Sequence, residues 1–375
     1  MTEPPAPQPR RPLLSPALTR VWRGPDRLQL GVGTRDPVVL AGVDPRDARF
    51  VMDLDGRCDR TAALARATDL GLPTTRAVQL LALLDEAGCL ADGATDARSL
   101  ASLDPLDRDR LAPDVAALSL LPPAHSNGLT AFARRRAAYV EVRGAGRVGA
   151  AVTTLLAAAG VGTVTAVDDA AVRPQDLAPL GPHAGSVGRP RSDAAVDAAR
   201  RTAPNLRRDT ARSPDLVVLT AAPVVDPSTA DTLLGLGIPH LPVTLLETTA
   251  TVGPLVTSSG GPCLRCLDLH RCDRDPDWPV VAAQLITGGA GGRGGTGGRT
   301  STEACDVVLA TCAASLAALM VLGWLGAWTA EPDGLEDDVD VEPGTTYVLR
   351  LPGGRPRART YGPHPRCGCT WGGRQ

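Results

Sequence analysis

The sequence predicts an α/β protein in which a mostly parallel sheet, with helices on both faces, follows a small unit of three strands and three helices. Three observations carry this reading. Between residues 139 and 246, strand patterns at 139–143, 162–168, 214–220 and 239–246 alternate with helix patterns at 148–159, 191–203 and 227–236. The first of those strands enters its helix through a glycine-rich turn, "GAGRVG". Ahead of them, residues 15–93 read in the order βββααα.

The 375 residues are 43% apolar with a formal net charge of −2, which suits a globular chain of one large and one small domain. Such a balance points to no nucleic-acid or membrane partner, and the Arg134-Arg135-Arg136 run reads as a solvated helix face. All 39 basic residues are arginine, the mark of a GC-rich genome, so an Arg standing where a relative carries Lys is not counted as a lost function. The N-terminus lacks the apolar core of a signal peptide, and the apolar stretch 307–325 is broken by Thr311, Ser315 and Gly323. A cytoplasmic location is expected. There, nine cysteines read as metal ligands, buried apolar residues or reactive thiols before disulfides.

Taken in order, residues 1–14 are proline-rich and expected to be a disordered tail. Val21 and Trp22, a Gly-Pro-Asp turn, then Leu28, Leu30 and Val32 form a hairpin pattern, and "PVVLAGV" supplies a third strand. Three helices follow, started by Asp44, Asp59 and Pro73-Thr74 and stopped by Gly56, Gly71 and Gly88. Residues 94–130, rich in Asp, Pro and Ser, read as a linker with room for one short helix, and the large domain covers 131–375. After the alternating region, "VTLLETTA" and "TVGPLVTS" read as an antiparallel pair.

The glycine turn is the first candidate site. Gly144, Gly146 and Gly149 have the spacing that allows a tight turn, close backbone approach to a phosphate and tight helix–strand packing, the Rossmann-like arrangement. Asp168, 24 residues after Gly144 at the end of the second strand, stands where an acid can bond a ribose hydroxyl. The second candidate is a pair of cysteine pairs, "GPCLRC" (Cys263, Cys266) and "HPRCGC" (Cys367, Cys369), about 100 residues apart in sequence. Four thiolates suit a closed structural zinc site tying the C-terminal tail back onto the domain. The second pair is tight, so His364 stands as an alternative fourth ligand.

In order, "VRGAGRVGAAV", "AAGVGTVTAVDDAAV", "VGRPRSDAA", "LVVLTAA", "PCLRC", "EACDVVLATCAASLAALMVL" and the final cysteine pair resemble the ThiF/HesA/MoeB family, relatives of ubiquitin-activating enzymes, in an actinobacterial form. The resemblance covers residues 131–375 and implies a homodimer. The βββααα unit in turn resembles the winged-helix peptide clamp that recognises leader peptides in ribosomal-peptide biosynthesis, where the guest adds as a strand to the sheet edge and packs on the third helix. A plain winged helix bridging two subunits fits the same order.

Active members of the family adenylate a C-terminal carboxylate with ATP and Mg²⁺, and the resemblance implies three catalytic segments. Asn-Leu-x-Arg aligns with "DLAP", placing Asp176 at the Asn and Pro179 at the Arg. Gly-x-x-Lys aligns with "GRPR", placing Arg191 at the Lys. An Asp after the next strand aligns with Ala221 or Ala222, leaving Asp226 or Asp231 as displaced substitutes, and Arg173 or Arg189 for the missing arginine. The expected function is therefore a ThiF-family protein with a degenerate adenylation site and weak ATP and Mg²⁺ binding. It would bind a ribosomal or ubiquitin-like peptide and present it to a partner biosynthetic enzyme. The alternative is an active ATP-dependent adenylyltransferase, and the split cysteine pairs disfavour a nicotinamide oxidoreductase. Cys272 is the weak catalytic candidate, flanked by His270, Arg271 and Arg274. Cys305 and Cys312 read as core residues of an apolar helix, residues 287–302 as an inert glycine linker, and His125, His183 and His240 as structural.

Overall fold

The computed structural model describes residues 10–33, 37–93, 101, 103–121, 128–207, 210–220, 224–258, 260–289, 304–327 and 343–369. The chain divides into two compact units, residues 1–133 and 134–375.

In the first unit, strands β2 (Arg20–Gly24), β3 (Arg27–Leu30) and β4 (Val38–Ala41) form an antiparallel sheet in chain order. Helices α1 (Pro45–Met52), α2 (Arg60–Asp69) and α3 (Thr74–Glu86) follow. Asp44 caps α1 through the amides of Arg46 and Asp47, and Asp59 caps α2 through that of Ala62, as their short acceptor side chains favour. Leu28, Leu30, Phe50, Leu80, Leu81 and Leu84 meet in one core. The buried Asp47 is paired with Arg76 of α3 at 2.9 Å, and Arg76 also donates to Gly42 O just after β4.

Two expectations change here. Strand β1 (Pro12–Leu14) lies inside the stretch expected to be disordered; it pairs antiparallel with β5 (Leu90–Asp92), and Leu14 is buried. Its partner is distant in sequence, so local proline content could not reveal the pairing. Within the expected linker, Pro105–Leu118 is a full helix capped by Asp104. Pro113 sits inside it, a residue that ordinarily breaks a helix. A further helix, Gly128–Ala137, crosses the expected boundary at 130.

In the second unit a seven-stranded sheet has the order Arg357–Thr360, Thr345–Arg350, Thr249–Val252, His240–Leu246, Leu216–Leu219, Tyr139–Arg143, Thr163–Val167. Strands β6 (Tyr139–Arg143), β7 (Thr163–Val167), β8 (Leu216–Leu219) and β9 (His240–Leu246) are parallel. Strands β10 (Thr249–Val252), β11 (Thr345–Arg350) and β12 (Arg357–Thr360) continue the sheet antiparallel. Strand β8 is buried on both faces, as expected of a central strand between helical layers. Leu216 and Val218 pack with Leu156 of the helix Arg147–Ala158 and Ala313 of the helix Val307–Ala327; Val217 and Leu219 pack with Leu233 and Leu264 on the other side.

The helix Val307–Ala327 is long and apolar enough to cross a membrane by composition, with mean hydropathy 2.1 over residues 307–326. Here Ala310, Ala313, Ala314, Ala317 and Val321 form a small-residue stripe buried in the sheet core. Cys305 precedes this helix and packs half-buried against the core, while Cys312 is exposed and is not the core residue expected: the stripe that faces the sheet runs through the alanines beside it. Arg135, expected on a solvated face, is buried and donates to Ala159 O at 3.2 Å.

Candidate functional site

The glycine turn lies between β6 and the helix Arg147–Ala158. Gly144 has φ +98°, a left-handed conformation costly for any residue with a Cβ. Its amide donates to Val167 O at the end of β7, and Thr220 Oγ1, just after β8, donates to Gly144 O at 3.0 Å. A Cβ on Gly149 would come within 1.9 Å of Gly144 O, so close packing requires glycine there. Beside Gly146, the N-cap of the helix, a Cβ would meet nothing within 4 Å, and no side chain caps this end. The backbone thus keeps the open, amide-lined end that suits a phosphate.

The charges around it are committed. Asp168 accepts the Ala145 amide at 2.8 Å and the Ala170 amide at 2.9 Å, so its carboxylate pins the turn and the start of the next loop. Arg191 makes a bidentate pair with Asp176, at 2.8 and 2.7 Å, and lies 3.7 Å from Asp168. All three side chains are largely buried, with 18%, 7% and 14% exposure for Arg191, Asp176 and Asp168. The Asp176 carboxylate also accepts the Arg173 amide at 2.7 Å. Pro179 is exposed, Arg189 is paired with Asp197 at 2.7 Å, and Asp226 caps the helix Pro227–Gly235 through Ser228. Ala221 and Ala222, like His125 and the loop 290–303, lie outside the described residues. The backbone end is open to a phosphate, while the neighbouring cation Arg191 is already held by a carboxylate.

Sequence reasoning missed two groups here. Arg147, the first helical residue after the turn, donates to Gln175 O and Cys305 O and so joins three segments around the turn. Thr220 braces Gly144 O from the neighbouring strand. A charged residue inside the glycine motif was the available signal for the first. None marked the second.

The four cysteines converge. Cys263 stands at the N-cap position of the helix Leu264–Arg274 and Cys266 lies in its first turn, while the tail brings Cys367 and Cys369 against them. Sulfur–sulfur distances are 3.8 Å for Cys263–Cys266 and 3.4 Å for both Cys263–Cys367 and Cys266–Cys369, and all four sulfurs lie within 4.8 Å of one another. None is in a disulfide. Tetrahedral zinc–thiolate bonds of about 2.3 Å place sulfurs about 3.8 Å apart, so this donor set can hold a metal ion. Burial pushes the Cys263 thiol well up and that of Cys369 to about 11. Burial also opposes ionisation of Cys266, but bonds from the His364 amide and the neighbouring thiols outweigh it and hold its pKa below the ordinary value.

His364, the alternative ligand, points elsewhere: Nε2 lies 2.8 Å from Asp273 Oδ2 and Nδ1 accepts the Arg366 amide at 3.1 Å. Cys272 lines an apolar groove of about 390 Å³ between three helices, with Leu264, Trp278 and Ile286. Asp231 lines the same groove. The basic neighbours of Cys272 are engaged away from it: His270 contacts Gly362 O, Arg271 pairs with Asp268, and Arg274 lies over the Tyr361 ring. His240 is buried, with Nδ1 on Ile238 O and Nε2 unpartnered, and His183 accepts the Gly185 amide, both structural roles.

The model of the ThiF family matches residues 126–334. The chain is 31% identical over 146 residues to the adenylyltransferase and sulfurtransferase UBA4 of Yarrowia lipolytica, a match covering 35% of this chain and 37% of that protein. It therefore spans little more than a third of that relative's length. Among solved structures, E. coli MccB with ATP has a TM-score of 0.63 at 14% identity, covering 96% of this chain and 99% of that one. MccB is also described with N-formylated MccA, as a microcin C7 biosynthetic enzyme, at TM-score 0.62, 14% identity and coverage of 96% and 99%. PaaA has a TM-score of 0.62 at 16% identity, covering 92% and 98%. At these identities the structures show the fold.

Proposed function

The chain belongs to the ThiF family, and on that premise we propose that it is a binding member: its adenylation site is degenerate, and it holds a ribosomal or ubiquitin-like peptide for a partner enzyme in the cytoplasm, as a homodimer. One observation carries the degenerate reading. Arg191, the cation at the family's lysine position, is held by both oxygens of Asp176, which stands where the family carries a neutral Asn. A triphosphate entering the turn has to compete with that carboxylate, and Pro179 offers no second cation. A preorganised charge contact is worth about 3 kcal/mol in the transition state, so losing two costs on the order of 10⁴-fold in rate.

The peptide-binding part rests on β4, an edge strand of the first unit's sheet among the described residues, with Val39 exposed along it. An extended peptide can add there as a fourth strand, in the manner of a winged-helix clamp. MccB with MccA, a structure of the same fold, is consistent with a peptide ligand. Cys263, Cys266, Cys367 and Cys369 would hold a structural zinc, whose thiolates tie the tail to the helix Leu264–Arg274 and which supplies no chemistry to the turn.

Pyrophosphate exchange into ATP, with Mg²⁺ and candidate peptides bearing free C-termini, tests the reading. Wild type is expected to be silent, and Asp176→Asn with Pro179→Arg and Ala221→Asp to gain exchange. Robust exchange in wild type that vanishes in Arg191→Ala establishes the active adenylyltransferase instead.

A further inference from the structure

We infer that the chain carries a second, weaker transition-metal site, made by His270, Asp273 and His364 and distinct from the four cysteines. One donor atom of each residue lies within 4.8 Å of the other two. Cys266, His270 and Asp273 follow at intervals of four and three residues on the helix Leu264–Arg274, one stripe along a helical face. The tail meets this stripe twice: Cys369 lies on Cys266, and His364 packs edge-on to His270, ring centroids 4.7 Å apart, with Nε2 2.8 Å from Asp273. The side chain of His364 is only 4% exposed, so its polar edge has been taken out of water toward these partners.

The surroundings suit a ligand imidazole at His270. Its Nε2 lies 3.0 Å from Gly362 O, which takes the ring proton and leaves the lone pair on Nδ1. A backbone carbonyl on the far nitrogen is the support that metal-bound histidines ordinarily use. Two imidazoles and one carboxylate favour a divalent first-row ion such as zinc, cobalt or nickel over calcium or magnesium.

Two contacts oppose the ion and make the site weak. The Arg366 guanidinium pairs with Asp273 and has to share its carboxylate. The Arg366 amide bonds His364 Nδ1, so a cation on Nε2 moves the ring's single proton to Nδ1 and turns that amide to water.

Cobalt(II) titration of the full chain, followed by absorption, tests the site, because thiolate ligation gives an intense near-ultraviolet charge-transfer band and nitrogen–oxygen ligation does not. A component without that band is expected whether or not the cysteines take cobalt, so failure of the zinc proposal is read separately. His270→Gln should remove this component and leave any thiolate band unchanged; because His270 is half-exposed, this variant keeps the fold even if His364→Gln loosens the tail. Uptake confined to the thiolate component, or a second component of equal size in His270→Gln, overturns the inference.

Discussion

Gly149 and His240 show how single residues set tolerances that motifs only outline. The 1.9 Å approach of a Cβ at position 149 to the Gly144 carbonyl is to backbone, so no rotamer change relieves it. Gly149→Ala is expected to cost about 1–3 kcal/mol through forced backbone shifts, read as a lowered unfolding midpoint in urea at unchanged slope. His240 is kept neutral by burial, which lowers its pKa from 6.5, with the positive charge of Arg143 acting in the same direction. The unfolded chain takes up a proton near pH 6.5 and the folded one only below that. Stability is therefore full above pH 6.5 and falls as pH drops below it. His240→Phe should flatten that slope between pH 7 and 5; an unchanged slope would assign it to other groups.

At the scale of elements, beyond Thr360, the last residue of β12, the tail continues with a backbone bond from Tyr361 N to Gly344 O and is then held through side chains. Metal analysis should find one zinc per chain, lost in Cys263→Ser with Cys266→Ser, and a chelator should raise amide exchange across residues 361–369 first. The edge strand β4 supports a second test. Val39→Pro removes a backbone donor and should weaken binding of a leader or tail peptide encoded near the gene while leaving the thermal midpoint within a few degrees. Peptide affinity equal to wild type would place the peptide elsewhere. The helices were legible at this scale because their signals are local: Asp44, Asp59 and Asp226 cap where they stand. The helix at Pro105–Leu118 was not, because it lies in a segment whose Asp, Pro and Ser content reads as a linker.

For the whole molecule, the two units own separate cores, Leu28, Leu80 and Leu84 in one, Val142, Leu216 and Val321 in the other. Calorimetry is expected to show two transitions. Chelation should lower the one that hydrogen exchange assigns to residues 134–375, and peptide should raise the one assigned to residues 1–133. A single transition moved by both treatments would contradict independent units.

The sequence by itself determined the alternating α/β order, the glycine turn, the βββααα unit and the candidate cysteine pairs, because each is written in local periodicity or in short spacings, while Asp176 and Pro179 stand out only through the resemblance to the family's motifs. Only the tertiary structure decided what those residues do to one another. The pairing of Arg191 with Asp176 joins positions 15 residues apart, that of β1 with β5 joins segments about 80 apart, and the meeting of His364 with Asp273 joins positions 91 apart. Such contacts depend on how loops close and how faces bury, and a one-dimensional pattern holds no record of either. The same physics explains the arginine's fate: a cation in a largely buried place finds the nearest carboxylate, and the sequence shows the charge while only the fold shows the partner.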